Sequence, residues 1–344
     1  MSNAKSWVLY GAAGYTGALI AQHAQECGHR PLLAGRNGTA VTALAEKLDL
    51  PHLTLRLDDA TELAAALAGI DLVLNVAGPF LHTAASLAEA CLNAGAHYLD
   101  ISNELQVFRA LYDLHQRAEA ADIAIIPGVG FGVVATNCLA RYVSDAVGGA
   151  EHLEVAARAA SAQAGPGVAA TRQENLPYGG WAREKGQLQP LSLGSGITSV
   201  AFPDGLCRSM PVPTGDLEAA FQATGAPNII AYTAIAGAEV VPAGTSDIEA
   251  LGPQTYRSFG WARATNADGA TAQAWLQTGE SYAFTAAASI RSVEEALAGS
   301  FRGALSPAAA FGVDFALTVP GTTRTDAISA QVSLTQGIQK ENRE

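Results

Sequence analysis

The sequence predicts an α/β chain: a doubly wound parallel-sheet unit followed by an α+β unit with a mostly antiparallel sheet. Three observations lead there. Up to Ile126, short apolar runs alternate with helix-length segments, as when strands of a parallel sheet are joined by crossover helices. From Glu151 onward the runs come closer together and are separated by turn signals such as Asn266-Ala267-Asp268-Gly269. At 344 residues the chain exceeds one typical core, so two units are expected.

The first unit reads in order. Trp7 to Tyr10 is an apolar strand that leads directly into Gly11-Ala12-Ala13-Gly14-Tyr15-Thr16-Gly17 and then into the helical pattern Ala18 to Cys27. Pro31 to Gly35 is a second strand, Thr39 to Leu48 a helix, His52 to Leu57 a third strand and Thr61 to Ala68 a short helix. Asp71 to Val76 is a continuous apolar strand ending at Ala77-Gly78-Pro79-Phe80, and Ala84 to Ala94 is a helix. His97 to Ile101 is a fifth strand, Glu104 to Ala120 a helix, and Ile123 to Ile126 a sixth strand. Six strands so spaced match the Rossmann-type dinucleotide fold, whose ligands sit at the carboxyl ends of the strands.

The second unit is read as strands at Glu151 to Ala159, Ile197 to Phe202, Cys207 to Val212, Ile229 to Ala236, Ser258 to Thr265, Ala272 to Gln277 and Tyr282 to Ala288. Helices are expected at Val168 to Asn175, at Asp216 to Thr224, where Thr214-Gly215 precedes and Gly225 stops it, and at Ser292 to Leu297. Ala304 to Phe315, with Pro307 near its first turn, reads as a helix, and the last twenty residues as a frayed polar tail.

Composition excludes several classes. A net charge of −12 argues against nucleic acid and against an anionic membrane surface. The four cysteines, Cys27, Cys91, Cys138 and Cys207, form no C-x-x-C pair and read as reduced thiols of a cytoplasmic protein. All seven histidines lie at or before His152, and there is no H-E-x-x-H, so no metal site is expected. No signal peptide opens the chain, and the longest uncharged run, Ile123 to Ala140, is broken by Pro127 and Gly128-Val129-Gly130. It reads as a buried strand, a loop and a helix start. There is no Tyr-x-x-x-Lys, no G-x-x-x-x-G-K-[ST] and no G-x-S-x-G.

What remains is the opening turn. A strand, three glycines and a helix are the layout that a dinucleotide pyrophosphate needs. Gly11 permits the tight turn, Gly14 lets the backbone approach the phosphates, and Gly17 lets helix and strand pack closely. Ala13, Tyr15 and Thr16 complete this cradle at the helix N-terminus. The spacing is G-x-x-G-x-x-G, and a structural glycine turn is the alternative. At the end of the second strand an acid would select a ribose hydroxyl, whereas the chain has Arg36-Asn37. A guanidinium is the natural partner of a 2′-phosphate, so NADP(H) is favoured over NAD, the alternative being a solvated surface arginine. Ala77, Gly78, Pro79 and Phe80 are read as a cofactor-facing loop, or equally as an ordinary strand-to-helix turn. Asp58 stands where an adenine edge is read, though capping the next helix would explain the Asp58-Asp59 pair as well. Catalytic candidates are Asn103 and Glu104, after the fifth strand, and Tyr178, in the Gln173 to Arg183 stretch that would suit a substrate loop.

Taken together, Val8 to Gly17, Ala34-Gly35-Arg36, Asn75 to Phe80, Ala90-Cys91, Ala94 to Asp100 and Pro127 to Phe131 resemble the saccharopine dehydrogenase-like superfamily, and within it the trans-acting enoyl reductase-like branch. Gly225 to Asn228, Gly279 to Tyr282 and Leu305 to Ala308 add to the likeness. The resemblance implies an NADP-binding unit over 1–130, an α+β substrate or dimerisation unit over 131–303, a helix at about 304–318 that packs back on the first unit, and a tail over 320–344. It implies an NADPH-dependent reductase of a C=C, C=O or C=N bond in a small or acyl-bearing metabolite. A saccharopine-type amino-acid dehydrogenase and a non-catalytic NADP(H) sensor are the alternatives. A sheet-bearing second unit also suits a homodimer. Two positions depart from the family pattern. Gly130-Phe131-Gly132 stands where relatives often show Gly-Phe-Asp, and Ser102-Asn103-Glu104 where they show Thr/Ser-Gly-Glu.

Overall fold

The computed structural model describes residues 5–160, 179–192, 194–235 and 256–329. The first part of the chain runs β1 (Trp7–Tyr10), α1 (Tyr15–Glu26), β2 (Leu32–Gly35), α2 (Gly38–Leu48), β3 (His52–Thr54), α3 (Ala60–Ala66), β4 (Leu72–Asn75), α4 (Ala84–Ala94), β5 (His97–Asp100), α5 (Leu105–Tyr112), α6 (His115–Ala120) and β6 (Ala124–Ile126). It continues through α7 (Phe131–Ala146), β7 (His152–Arg158), β8 (Gly180–Glu184), β9 (Gln187–Leu191), β10 (Thr198–Phe202), β11 (Gly205–Pro211), α8 (Asp216–Thr224), β12 (Asn228–Ala234), β13 (Ser258–Thr265), β14 (Thr271–Thr278), α9 (Ser281–Ala298), β15 (Gly303–Ala304), α10 (Pro307–Phe311) and β16 (Thr323–Ser329).

Two sheets organise these elements. The first has the order β15-β6-β5-β4-β1-β2-β3, and every pairing in it is parallel. Its strand order reverses between β1 and β4, which opens a crevice at the carboxyl ends. Because side chains alternate along a strand, Leu9, Leu33 and Leu74 face one layer, made by α1, α2 and α9. Val8, Tyr10, Val73 and Tyr98 face the other, made by α3 to α6. The second sheet runs β10-β11-β12-β7-β13-β14-β16, with the β8–β9 hairpin beside β12. It is antiparallel except where β12 pairs with β7. Helix α7 lies on one face of this sheet and α8 beside it, packing Val134, Ala135, Cys138, Leu139 and Leu217 against Leu153, Val155, Ala262 and Ala274. The uncharged run after β6 is therefore apolar nearly all round because it is buried nearly all round.

Several expectations are corrected. Tyr282 to Ala288 is not a strand but the start of α9, and Ser292 to Leu297 is its end. Tyr282, Phe284, Ala286 and Ala288 mimic a period of two, but the buried set continues at Ser289, Ser292, Val293 and Ala296, a helical spacing. Glu280 caps this helix by accepting from Ala283 N at 2.7 Å. The expected helix over 104–120 is two, α5 and α6, and α6 turns toward β15, where Ala304 N donates to His115 Nδ1 at 3.1 Å. The helix expected from Ala304 begins only at Pro307, because Gly303–Ala304 pairs with β6 as an edge strand. It packs with α7 and α8, its Ala310 and Phe311 also pack against the layer of the first sheet that α9 shares, and β15 pairs with β6. Part of the expected polar tail, Thr323–Ser329, pairs with β14. The third strand ends at Thr54 rather than Leu57, and Trp181 and Arg183 lie on β8 rather than in a loop. The expected helix over Val168 to Asn175 falls outside the described residues.

The two sheets are joined where the loop after β5 meets the start of α8. Leu105 N donates to Pro213 O at 3.3 Å, and Gly215 N to Asn103 O at 3.2 Å. A Cβ on Gly215 would overlap the Phe108 ring of α5. Gly215→Ala should therefore cost about 1–3 kcal/mol in urea unfolding, and adding Phe108→Leu should recover part of it. Additive losses would show that the contact does not set the spacing.

Burial pushes three carboxyls above the ordinary carboxyl range, those of Asp100, Asp216 and the part-buried Glu218. A raised native pKa favours folding most fully below the unfolded value of about 4, and that contribution is lost as pH rises through the native value. Asp100→Asn removes one such group. Its stability deficit against wild type should be smaller near pH 7 than near pH 4 in denaturant titrations, and a deficit that does not shrink would contradict this sign.

Candidate functional site

The turn after β1 assigns each glycine its own reason. Gly11 has φ +89°, and a Cβ there would stand 2.8 Å from Ala77 N on the neighbouring loop. Gly11 N and Ala12 N both donate to Ala34 O, at 2.8 and 3.1 Å, which ties the turn to β2. A Cβ on Gly17 would overlap the carbonyl of Gly11, so α1 packs on the turn itself. A Cβ on Gly14 would meet only Gly11 O, at 3.2 Å. Ala13, Gly14 and Tyr15 are exposed, and no side chain caps α1. The first-turn N–H groups, Thr16 among them, thus face open space at the positive end of the helix. Such a cradle fits a pyrophosphate.

At the end of β2, Arg36 is exposed, and its guanidinium makes no ion pair among the described residues. Asn37 caps α2, its Oδ1 accepting from Ala40 N at 3.2 Å. Asp58 is exposed and engaged by Arg56 through both oxygens, at 3.1 and 2.7 Å, and this hydrogen bonding holds its carboxyl below the ordinary range. Asp59, not Asp58, caps α3. Burial raises the pKa of Tyr10, and Arg36, Asp58 and Arg56 are all near enough to act on it, so these charges cluster at one edge of the sheet. Arg56 was not among the sequence candidates, because it follows β3 where no motif marks it.

Across the switch point, Ala77, Gly78, Pro79 and Phe80 form the loop after β4. Ala77 N donates to Asn75 Oδ1 at 3.0 Å, and Thr83 Oγ1 to Ala77 O at 2.8 Å. The Gly78–Pro79 bond is cis, and Phe80 is buried. Phe80 N donates to Glu104 Oε1 at 3.2 Å, and Glu104 is only 2% exposed. Behind this loop runs a buried polar chain at the strand ends. Asn75 Nδ2 donates to Tyr98 OH at 3.1 Å, Tyr98 OH donates to Asp100 Oδ2 at 2.9 Å, and Asp100 Oδ1 accepts from Ser102 N, Ser102 Oγ and Gly128 N at 2.9, 2.7 and 3.0 Å. Its signal in the sequence is a polar residue at the end of each of two apolar strands, Asn75 and Asp100. The chain fixes the ends of β4, β5 and β6 relative to one another.

Asn103 lies beside it, at the junction with the second sheet. Its Nδ2 donates to Asp216 Oδ2 at 3.0 Å, and a Cβ on Gly132 would stand 3.1 Å from that nitrogen. The two positions that depart from the family pattern therefore touch, Asn103 filling the room that glycine leaves at 132. Tyr178 lies outside the described residues.

The start of α9 completes the rim. The Tyr282 and Tyr15 rings meet edge to face at 4.9 Å. Ser281 N donates to Ala160 O at 3.0 Å, and Phe131 N donates to Thr285 Oγ1 at 3.1 Å. The first turns of α1, α7 and α9 thus open at one edge of the first sheet. Among the described residues no group of His, Cys, Asp and Glu side chains could hold a metal.

Comparison with known proteins agrees with this geometry. Residues 7–126 match the family model described as the saccharopine dehydrogenase NADP binding domain. The trans-acting enoyl reductase of Mycobacterium tuberculosis (strain H37Rv) is 32% identical over 138 residues, which is 38% of this chain and 33% of that protein. The Mycobacterium leprae trans-acting enoyl reductase is 33% identical with the same coverage. The chain spans about a third of the length of the curated relatives it matches. The saccharopine dehydrogenase (L-Glu forming) of Saccharomyces cerevisiae superposes with a TM-score of 0.64 over 95% of this chain and 100% of that one, at 12% identity, a likeness of fold. Over residues 7–126, then, the chain is similar to the saccharopine dehydrogenase NADP binding domain.

Proposed function

We propose that this chain is an NADPH-dependent reductase of a C=C, C=O or C=N bond in a small or acyl-bearing metabolite. The observation that carries it is the uncapped glycine turn beside an unpaired Arg36, within a domain of NADP-binding type. Gly11 and Gly14 shape the turn and let it approach the pyrophosphate, Gly17 lets α1 close on it, and Ala13, Tyr15 and Thr16 offer backbone N–H groups to the phosphates. Arg36, beside Asn37, takes the 2′-phosphate, and Asp58 orients Arg56 at the adenosine edge. The loop over Ala77 to Phe80 and the residues Asn103 and Glu104 bound the nicotinamide half of the crevice, with Tyr178 as the further candidate. When bound, the cofactor supplies a hydride, and the chain's part is to orient the reacting end and exclude water.

The relatives named trans-acting enoyl reductases support an unsaturated acyl substrate over a saccharopine-like one. A saccharopine-like substrate carries several carboxylates and needs free cations. Yet Arg158, Arg183 and Arg263 of the second sheet are committed to Asp204, Glu218 and Glu154. Binding of NADP(H) without turnover is the second reading, favoured by the depth at which Glu104 is buried. We read 1–130 as the cofactor unit and 131–303 as the substrate unit, with α9 and β15 given back to the first sheet. No described helix is long and apolar enough to cross a membrane. A cytoplasmic setting, a partner of the same chain and no nucleic-acid partner complete the proposal.

Arg36→Ala should weaken NADPH at least tenfold in a fluorescence titration while leaving NADH within about twofold, the loss of one charge-assisted phosphate contact. Equal losses for both, or none, would remove Arg36 from the 2′-phosphate. Enones, enoyl thioesters and keto acids, followed by the reduced-nicotinamide absorbance, separate turnover from binding alone.

A further inference from the structure

The Asn103 carboxamide is held in one orientation by groups from the second half of the chain. Asp216, at the start of α8, accepts from Asn103 Nδ2 at 3.0 Å, and its other oxygen accepts from Thr136 Oγ1 of α7. The backbone of Asn103 is held as well, its carbonyl accepting from Gly215 N at 3.2 Å. Turning the amide over would set its oxygen against the Asp216 carboxylate, so Nδ2 faces Asp216 and Oδ1 faces away from it. That Oδ1 is buried and accepts no hydrogen bond. A buried acceptor without a donor is costly, and such a group calls for an explanation. The loop that carries it follows β5, and Glu104 on the same loop binds Phe80 N of the loop after β4. Asn103 therefore stands on the β4–β5 side of the switch point, the side opposite the Arg36 edge.

We propose that Asn103 Oδ1 accepts a hydrogen bond from the primary amide at the reacting end of the cofactor, the nicotinamide carboxamide, and that Asp216 and Thr136 are positioning residues for it. The inference rests on the NADP reading. The amide's oxygen is the atom that calls for a donor, because it is buried without one while the nitrogen already donates to Asp216. Gly132 is part of the device, since a side chain there would push on Nδ2.

The test is equilibrium binding of three ligands to the full chain. They are NADP, its acetylpyridine analogue (which lacks the amide N–H), and 2′-phospho-ADP-ribose (which lacks the ring). Wild type should bind NADP about tenfold more tightly than the analogue, the size of one well-made hydrogen bond. Asn103→Ala should bind the two alike while keeping its affinity for 2′-phospho-ADP-ribose, and Asp216→Ala should lose about half of the discrimination on a logarithmic scale. Cooperative urea unfolding, independent of any ligand, reports that each variant is folded. Should a variant fail to fold, the wild-type comparison alone decides, since equal affinity for NADP and the analogue overturns the proposal. So does a loss of all three ligands in folded Asn103→Ala. If wild type binds none of the three, it is the NADP reading that falls, and this proposal with it.

Discussion

The closeness of Gly17 to the carbonyl of Gly11 is the constraint from which the rest of the site follows. Without a Cβ at 17, α1 settles on the turn that precedes it, and its first turn is presented at the crevice instead of being lifted off the sheet. Gly14 at the N-cap has no side chain to offer, so the helix is uncapped and its first N–H groups are open to an anion. The approach at Gly17 also sets where α1 can be paired on its outer flank. Helix α9 runs alongside α1, with Tyr15 against Tyr282 at one end and His29 against Glu294 at 2.9 Å near the other. A helix from late in the chain thereby shares the layer that positions the phosphate turn.

The other half of the crevice is built on different physics. Where the phosphate side uses backbone and open space, the β4–β5–β6 side is a buried polar chain from Asn75 through Tyr98 and Asp100 to Gly128. Burying an ionised carboxyl is expensive, and Asp100 is tolerable because three donors meet one of its oxygens and Tyr98 meets the other. The result is a set of strand ends that cannot slide independently. Asn103 and Glu104 inherit their positions from it, Glu104 by binding the backbone of the adjoining loop and Asn103 by binding across to α8. Contact with the second sheet at this point makes the β4–β5 side of the crevice a joint product of both halves of the chain.

The parallel sheet was legible because its signals are local. Each crossover needs an apolar strand and a helix within a short span, and Gly11, by its positive φ, and Gly17, by its approach to the Gly11 carbonyl, are required by the turn's own backbone. The hairpin at Asn266 to Gly269 was legible for the same reason, since Asn266 N pairs with Ala270 O at 3.0 Å inside the turn itself. Legibility failed where partners are distant in sequence. Residues 282–288 alternate apolar and small side chains, and only the packing of α9 against α1 and α7 decides that they are helical. Gly303–Ala304 are strand only because β6 offers them an open edge.

The sequence by itself determined the glycine turn, the place of Arg36 at the end of β2 and the alternation of strands and helices, because each rests on covalent geometry or on neighbours within a few residues. Tertiary structure alone decided that Asn103 is turned by Asp216 across more than a hundred residues, and that Gly132 makes room for it. Hydrogen-bond direction and steric room depend on which groups arrive from elsewhere, and no local pattern records their arrival.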